Sequence, residues 1–254
     1  MIKDASRAHS LRSALRRRLP VRPTPYDRPM AVSAPRRRRS RPGRRLLAHD
    51  RDLGVRFVAG ADEAGRGSLA GPLVAAAVCL DMERLRGRRC APLGLLDDSK
   101  RHTSVRREEL FQAVVESASQ VAVIVIPAAQ IDRRGLHRSN LSALGRALCA
   151  LDPEPDVCMT DGFSVPGCGR AHRAVVGGDG RSAAIAAASI VAKVTRDRFM
   201  HRIAPEYPEF RFDRHVGYIT AEHTRAVRRH GPTPLHRRSF EAIAYAQMDL
   251  DLGL

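Results

Sequence analysis

The chain has no tryptophan, and aromatic residues fill only 4% of its 254 positions. That argues against a broad base-stacking platform of the kind that grips single strands. Long hydrophobic runs are also missing. The longest uninterrupted one, 73–80 (LVAAAVCL), has the length of a strand, well below the roughly 18 apolar residues of a membrane helix. The positive charges near the N-terminus precede no apolar block, so no secretory signal is expected. Cysteine is sparse and odd in number, and Cys79, Cys90, Cys149, Cys158 and Cys168 show no C-x-x-C spacing. Zinc and a disulfide framework are both poor readings, and reduced thiols in a cytoplasmic protein are the expectation. There is no internal repeat.

What the chain does have is positive charge, unevenly spread. Residues 1–49 carry 15 Lys/Arg against 2 Asp/Glu, a net +13, whereas the other 205 carry 29 against 25, a net +4. Stretches such as RRRLPVRPTP and PRRRRSRPGRR are too poor in apolar residues to offset their chain entropy. Residues 1–49 are therefore expected to be a disordered basic tail, able to tether nucleic-acid phosphates without sequence preference. Met30 is an alternative start, which would make 1–29 upstream sequence. Residues 50–254 are expected to hold the working domain, with C-terminal helices from about 205. Their apolar content suffices for an ordinary core.

Within that body, 55–60 and 73–80 read as strands, the second apolar on both faces as for a central strand. Ser104 is placed to cap a helix with an apolar stripe of Leu110, Phe111, Val114 and Val115. A third strand is expected at 121–126, a helix at 140–151, and short strands at 156–162 and 173–179. Ser182 opens a long Ala/Ile-rich helix, 220–230 forms another, and the residues after Ser239 suit a terminal one. Three strands followed by alternation predict an α/β sheet with helices on both faces and a helical C-terminal part.

Three predicted strand ends each deliver acid: Asp62 and Glu63, then Asp161, then Asp179. In open α/β sheets, sites form beyond the carboxyl ends of strands. Four converging carboxylates would repel one another, and two divalent cations would cancel their formal charge. An all-oxygen set without histidine suits magnesium or manganese rather than zinc. Two such ions can activate water and stabilise the leaving oxygen of a phosphodiester. Adjacent strand residues point to opposite faces, so Asp62 and Glu63 share a site only where the strand ends or kinks.

Seven motifs then occur in order: GADEAGRGSLAGPLVAAAV, DDSK (97–100), TDG (160–162), GGD (177–179), AAASIVAKVTRDRFM, HVGY (215–218) and GPTPLHRRSF. On these, from about 55 to 240, the chain resembles bacterial ribonuclease HII. The resemblance implies a ribonuclease H-like mixed sheet. It also implies cleavage of RNA in RNA–DNA hybrids and incision 5′ to single ribonucleotides in duplex DNA, leaving 3′-hydroxyl and 5′-phosphate ends. It puts the catalytic metal ligands for two Mn2+ or Mg2+ ions on Asp62, Glu63, Asp161 and Asp179. It puts 2′-hydroxyl readout on Gly65, Arg66 and Gly67, sugar packing on Tyr218, and a phosphate contact on Ser99 and Lys100. The family pattern has lysine before G-D and before G-Y; this chain has Gly177 and Val216, each one positive charge fewer.

Two other readings stay open. A basic tether on an inactive core would have no need of all four acids. A junction resolvase on the same fold would have no use for a G-R-G loop and Tyr218. Lys193, Arg196 and Arg198 on the long helix suit either solvated charges or a phosphate track. Asp197 reads as structural, and His215, His223 and His236 read as hydrogen-bonding residues of the C-terminal part. The peptide QMDLDL (247–252) is loosely similar to sliding-clamp-binding peptides. The expected protein is a monomer that binds hybrid or ribonucleotide-containing duplexes and no membrane.

Overall fold

The computed structural model describes residues 42–97, 99 and 102–240. All of them belong to one unit, Ser40–Leu254. At its centre is a five-stranded mixed sheet in the order β3-β2-β1-β4-β5. The strands are β1 (Phe57–Ala64), β2 (Leu73–Asp81), β3 (Gln120–Ile126), β4 (Val157–Asp161) and β5 (Arg173–Val175). β1, β2 and β3 form an antiparallel meander, and β4 and β5 add on parallel to β1.

β2 is buried along its whole length, as a run without polar interruption requires. Val74, Ala76, Val78 and Leu80 face one cluster, shared with α2 (Ser104–Ser117) and α5 (Ala183–Ile203). Leu73, Ala75, Ala77 and Cys79 face the other, shared with α3 (Ala128–Arg134) and α4 (Leu136–Cys149). Small residues let the central helix come close. A Cβ on Gly60 in β1 would lie 2.2 Å from the backbone nitrogen of Ile185, so only glycine permits this approach of α5. A third cluster, with Leu69, Met200, Phe210 and Phe212, joins the end of α5 to α6 (Phe212–His215) and α7 (Ala221–His230).

Several expectations are corrected. Residues Pro42–Arg51 form a helix, α1, most of which falls within the 1–49 stretch expected to be disordered tail. Leu46 and Leu47 are buried in the first cluster, and buried Asp50 accepts from Ser182 Oγ (3.1 Å) and the Ala184 amide (2.9 Å) at the start of α5. Residues 1–41 lie outside the described residues. Helix α2 is capped by Thr103, not Ser104, with Oγ1 accepting from the Arg106 amide. Val115 is exposed and no part of its buried stripe. The fifth strand stops at Val175 and gives way to a short 3-10 turn, Gly178–Gly180. The expected terminal helix shows only the 3-10 turn Arg238–Phe240, and its remainder lies outside the described residues.

Candidate active site

The four acids meet at one end of the sheet. β1 does not end at Asp62 and Glu63 but continues to Ala64, paired with β2 throughout. Its parallel pairing with β4 stops at Ala61–Thr160, so both acids project past the end of that ladder. Asp62 Oδ1 accepts from the Glu63 amide at 2.7 Å. Asp161, the last residue of β4, accepts through Oδ1 from the Gly178 amide at 2.7 Å. That bond ties it to the turn carrying Asp179. A Cβ on Gly178 would press on the tip of the Ile185 side chain and approach Asp161 Oδ1.

Asp62, Glu63, Asp161 and Asp179 all line a cleft of about 370 Å³, together with Gly65, Arg66, Gly67, Ser99 and Tyr218. Every sequence-predicted site residue is thus brought together except Lys100, which lies outside the described residues. Phe163, Ser189 and Lys193 line the same cleft. Of these only Lys193 was weighed from sequence. Phe163 follows the TDG motif directly, and its ring lies 4.6 Å from the Arg66 guanidinium. The Ser189 hydroxyl stands 2.9 Å from Ser99 Oγ and works against the rise in the Asp62 pKa. A lone hydroxyl in an alanine run was its only signal.

The loop between β1 and β2 is shaped from beneath by two buried arginines. Arg196 donates to the carbonyls of Pro72 and Ala70, both at 3.0 Å. Arg237 donates to the carbonyls of Arg66 (2.9 Å) and Gly71 (3.0 and 3.2 Å). Burial lowers the pKa of Arg196, and burial together with neighbouring Arg196 lowers that of Arg237 to about 9. Gly65, at φ +88°, passes so close that a Cβ would lie 2.2 Å from Arg196 Nε. The phosphate-track reading of Arg196 is therefore corrected: it is a structural clamp. Arg198 instead pairs with Glu108 and covers Phe111. Asp197 receives the Lys193 ammonium at 2.8 Å, as a structural partner would.

Tyr218 reaches the cleft from a turn in which Val216 (φ +43°) and Gly217 (φ +81°) are both left-handed. Ser68 and Tyr218 form an isolated antiparallel bridge, and the Ala70 amide donates to the Gly217 carbonyl at 3.1 Å. Lys193 Nζ lies 4.9 Å from the centre of the tyrosine ring.

Electrostatically the cleft is built for cations. Asp62 is buried, and its pKa is pushed well up, first by loss of water and then by Glu63 and Asp161. A divalent ion would relieve that strain, and the all-oxygen donor set fits magnesium or manganese. Among the described residues, no group of three His, Cys, Asp or Glu side chains is already drawn together around an ion position.

A family model described as ribonuclease HII matches residues 59–243. The chain belongs to the ribonuclease HII family. It is similar to the ribonuclease HII of Parafrankia sp. (strain EAN1pec), 48% identical over 202 residues that cover 78% of this chain and 82% of that protein. The ribonuclease HII of Salinispora tropica is 50% identical over 202 residues, covering 78% and 73%. Among solved structures, the ribonuclease H2 of Pyrococcus horikoshii OT3 matches with a TM-score of 0.63 and 26% identity, covering 75% of this chain and 98% of that one. The ribonuclease HII of Archaeoglobus fulgidus, solved in complex with PCNA, matches with a TM-score of 0.58 and 26% identity, covering 72% and 94%. Ribonuclease HII proteins are metal-dependent endonucleases of the ribonuclease H type, acting on RNA–DNA hybrids. The mixed sheet with its helical C-terminal part is the fold of these relatives. Among the described residues, no helix is long and apolar enough to cross a membrane.

Proposed function

We propose that this chain incises duplex DNA on the 5′ side of a lone ribonucleotide, as well as cutting longer hybrids, and leaves 3′-hydroxyl and 5′-phosphate ends. The observation that carries the reading is the meeting of four carboxylates, the G-R-G loop and Tyr218 in one cleft. Asp62, Glu63, Asp161 and Asp179 would hold two divalent cations, Mg2+ or Mn2+. When bound, these would supply activation of water and neutralisation of charge at the scissile phosphodiester.

The chain's own groups do the positioning. The Glu63 amide holds the Asp62 carboxylate, and the Gly178 amide holds that of Asp161. The backbone at Gly65, Arg66 and Gly67 would hydrogen-bond the 2′-hydroxyl, the one group that separates RNA from DNA in the minor groove. The absence of side chains at Gly65 and Gly67 lets a ribose approach. Tyr218 would pack on the neighbouring deoxyribose. Ser99 and Lys100 would contact a phosphate, with the Ser99 hydroxyl shared with Ser189. The Archaeoglobus complex with PCNA supports a sliding clamp as partner; we place the contact at 247–252, a segment outside the described residues. A cytoplasmic monomer is the state in which we expect it to work.

The test is a DNA duplex with one ribonucleotide, incubated with and without Mg2+ or Mn2+, with the ends mapped. Metal-dependent incision 5′ to the ribonucleotide is expected. Cutting on its 3′ side, or equal cutting of all-DNA duplex, would reject the reading. A Tyr218→Ala variant should lose single-ribonucleotide cutting far more than hybrid cutting, because packing on a deoxyribose is specific to the RNA–DNA junction.

A further inference from the structure

Behind the cleft, the backbone of Tyr218 is held by a chain of imidazoles that the chemistry above does not use. The Thr233 amide donates to His236 Nδ1 at 2.9 Å, so that nitrogen carries no proton. A neutral His236 then bears its proton on Nε2, which lies 3.0 Å from His223 Nε2. His223 Nε2 is the acceptor, its proton sits on Nδ1, and Nδ1 donates to the Tyr218 carbonyl at 2.9 Å. Every step has one assignment, because each ring nitrogen of a neutral imidazole is either donor or acceptor. His215 braces the same turn: it accepts from the Gly217 amide at Nδ1 and donates from Nε2 to the Phe210 carbonyl. Its ring stacks on that of His223 at 4.4 Å. His223 and His236 are buried, and burial drops their pKa values to about 3 and about 4, so both are neutral at physiological pH.

The chain joins two segments that grip the loop just after G-R-G, one at Leu235 and His236 and the other at Tyr218. His236 bridges Ala70, the Leu235 carbonyl accepts from the Gly71 amide, and Tyr218 bridges Ser68. We propose that His236 and His223 are positioning residues for ribonucleotide selectivity: their directed hydrogen bonds run from Thr233 to the Tyr218 carbonyl and hold the tyrosine in register with the loop opposite. The inference rests on the role given to Tyr218 above. A turn with two left-handed residues, one of them valine, is strained and keeps its shape only when its surroundings hold it, so an outside anchor has something to decide. A displacement of about 1 Å at a positioned group can cost a hundredfold in rate.

The test uses the full chain. His223→Phe keeps a ring of similar size and removes both nitrogens. His223→Asn keeps a donor where Nδ1 stood. Rates are measured on single-ribonucleotide DNA and on a uniform RNA–DNA hybrid. His223→Phe should lower the ratio of the two rates by roughly tenfold to a hundredfold, mostly in kcat, and His223→Asn should stay within about threefold of wild type. A His223→Phe ratio within threefold of wild type, while Tyr218→Ala collapses it, overturns the relay and leaves the Tyr218 reading standing. An unchanged ratio in Tyr218→Ala removes the role of the tyrosine, and the relay's role with it. Should His223→Phe fail to fold, nitrogen NMR of the wild-type histidine rings decides. Protons on His223 Nδ1 and His236 Nε2 at pH 7 are expected, and the reverse pattern on either ring overturns the proposal.

Discussion

Asp50 gives the sharpest test of where the fold begins. Its carboxylate, buried beneath α1, accepts from Ser182 Oγ at 3.1 Å and from the Ala184 amide at 2.9 Å. Both donors sit at the first turn of α5, where backbone N–H groups have no partner within the helix. Ser182 is itself the cap of α5, and its own amide donates back to Gly178 beside Asp179. Asp50→Ala would orphan two buried donors at about 1–3 kcal/mol each. Burial raises the Asp50 pKa, so removing a poorly hydrated charge returns part of that cost. A net loss of about 2–4 kcal/mol follows, or roughly 5–15 °C in Tm for a domain of this size. Asp50→Asn keeps one acceptor oxygen and sheds the charge, so it should lose about 1 kcal/mol. Thermal melts of the full chain and of a chain starting at Met30 provide the assay, with each substitution made in both. Wild-type Tm should be the same in the two lengths. An Asp50→Ala melt within 2 °C of wild type would refute the claim that α1 belongs to the folded core.

Asp62→Asn or Asp161→Asn should leave the melt nearly intact and slow cutting at least about a thousandfold in Mg2+; near-normal turnover by either rejects its assignment as a metal ligand. Acid should unfold the protein partly through His223. Its folded pKa of about 3 lies below the unfolded value, so as pH falls below about 6.5 the unfolded chain binds a proton the fold refuses. Wild type should then lose up to about 1.4 kcal/mol per pH unit more than His223→Asn, read from denaturant midpoints between pH 7 and 5; parallel curves would contradict this. Gly177→Lys with Val216→Lys should steepen the dependence of duplex binding on salt by up to about two units of log–log slope. An unchanged slope would place both positions off the nucleic-acid path.

Some of this was legible in the order of residues, and the reasons are local. The β2 run has no polar interruption, so two-sided burial was the simplest way to satisfy it. The acids stood out because strand ends followed by glycine are easy to recognise, and three of them in one chain had few places to converge. The first helix was hidden by its own composition. Three arginines and one histidine surround Leu46 and Leu47, and the average over the stretch reads as tail. Only the contacts of those two leucines and of Asp50 reveal a helix. Arg196 and Arg237 were hidden for a related reason. A guanidinium reads as surface until the carbonyls it serves are known, and those lie more than a hundred residues away in sequence. Ser189 is likewise a long-range pairing, with Ser99, and no period or spacing announces it; the histidines were read as hydrogen-bonding residues of the C-terminal part, and the structure bonds them over short separations.

The two departures from the family pattern acquire a meaning from backbone geometry. Gly177 (φ +62°) and Val216 (φ +43°) are both left-handed. Lysine at either place would hold a conformation that L-residues other than glycine adopt at a cost. At Gly177 this chain removes that cost along with the charge, and a Cβ there would meet nothing within 4 Å, so space did not demand glycine. At Val216 it does the reverse. A β-branched residue is among the poorest choices for a left-handed position, yet Val216 packs partly buried against the cluster of Phe210, Phe212 and Met200. The apolar contact offsets strain that lysine, too, would have carried. Between the two positions the chain exchanges charge near the cleft for relief at one turn and packing at the other. The second of these is the turn that carries Tyr218. A strained turn keeps its shape only when its surroundings over-determine it. Here the surroundings are the Gly217 carbonyl bonded to Ala70, the His215 brace, and the His223 proton on the Tyr218 carbonyl.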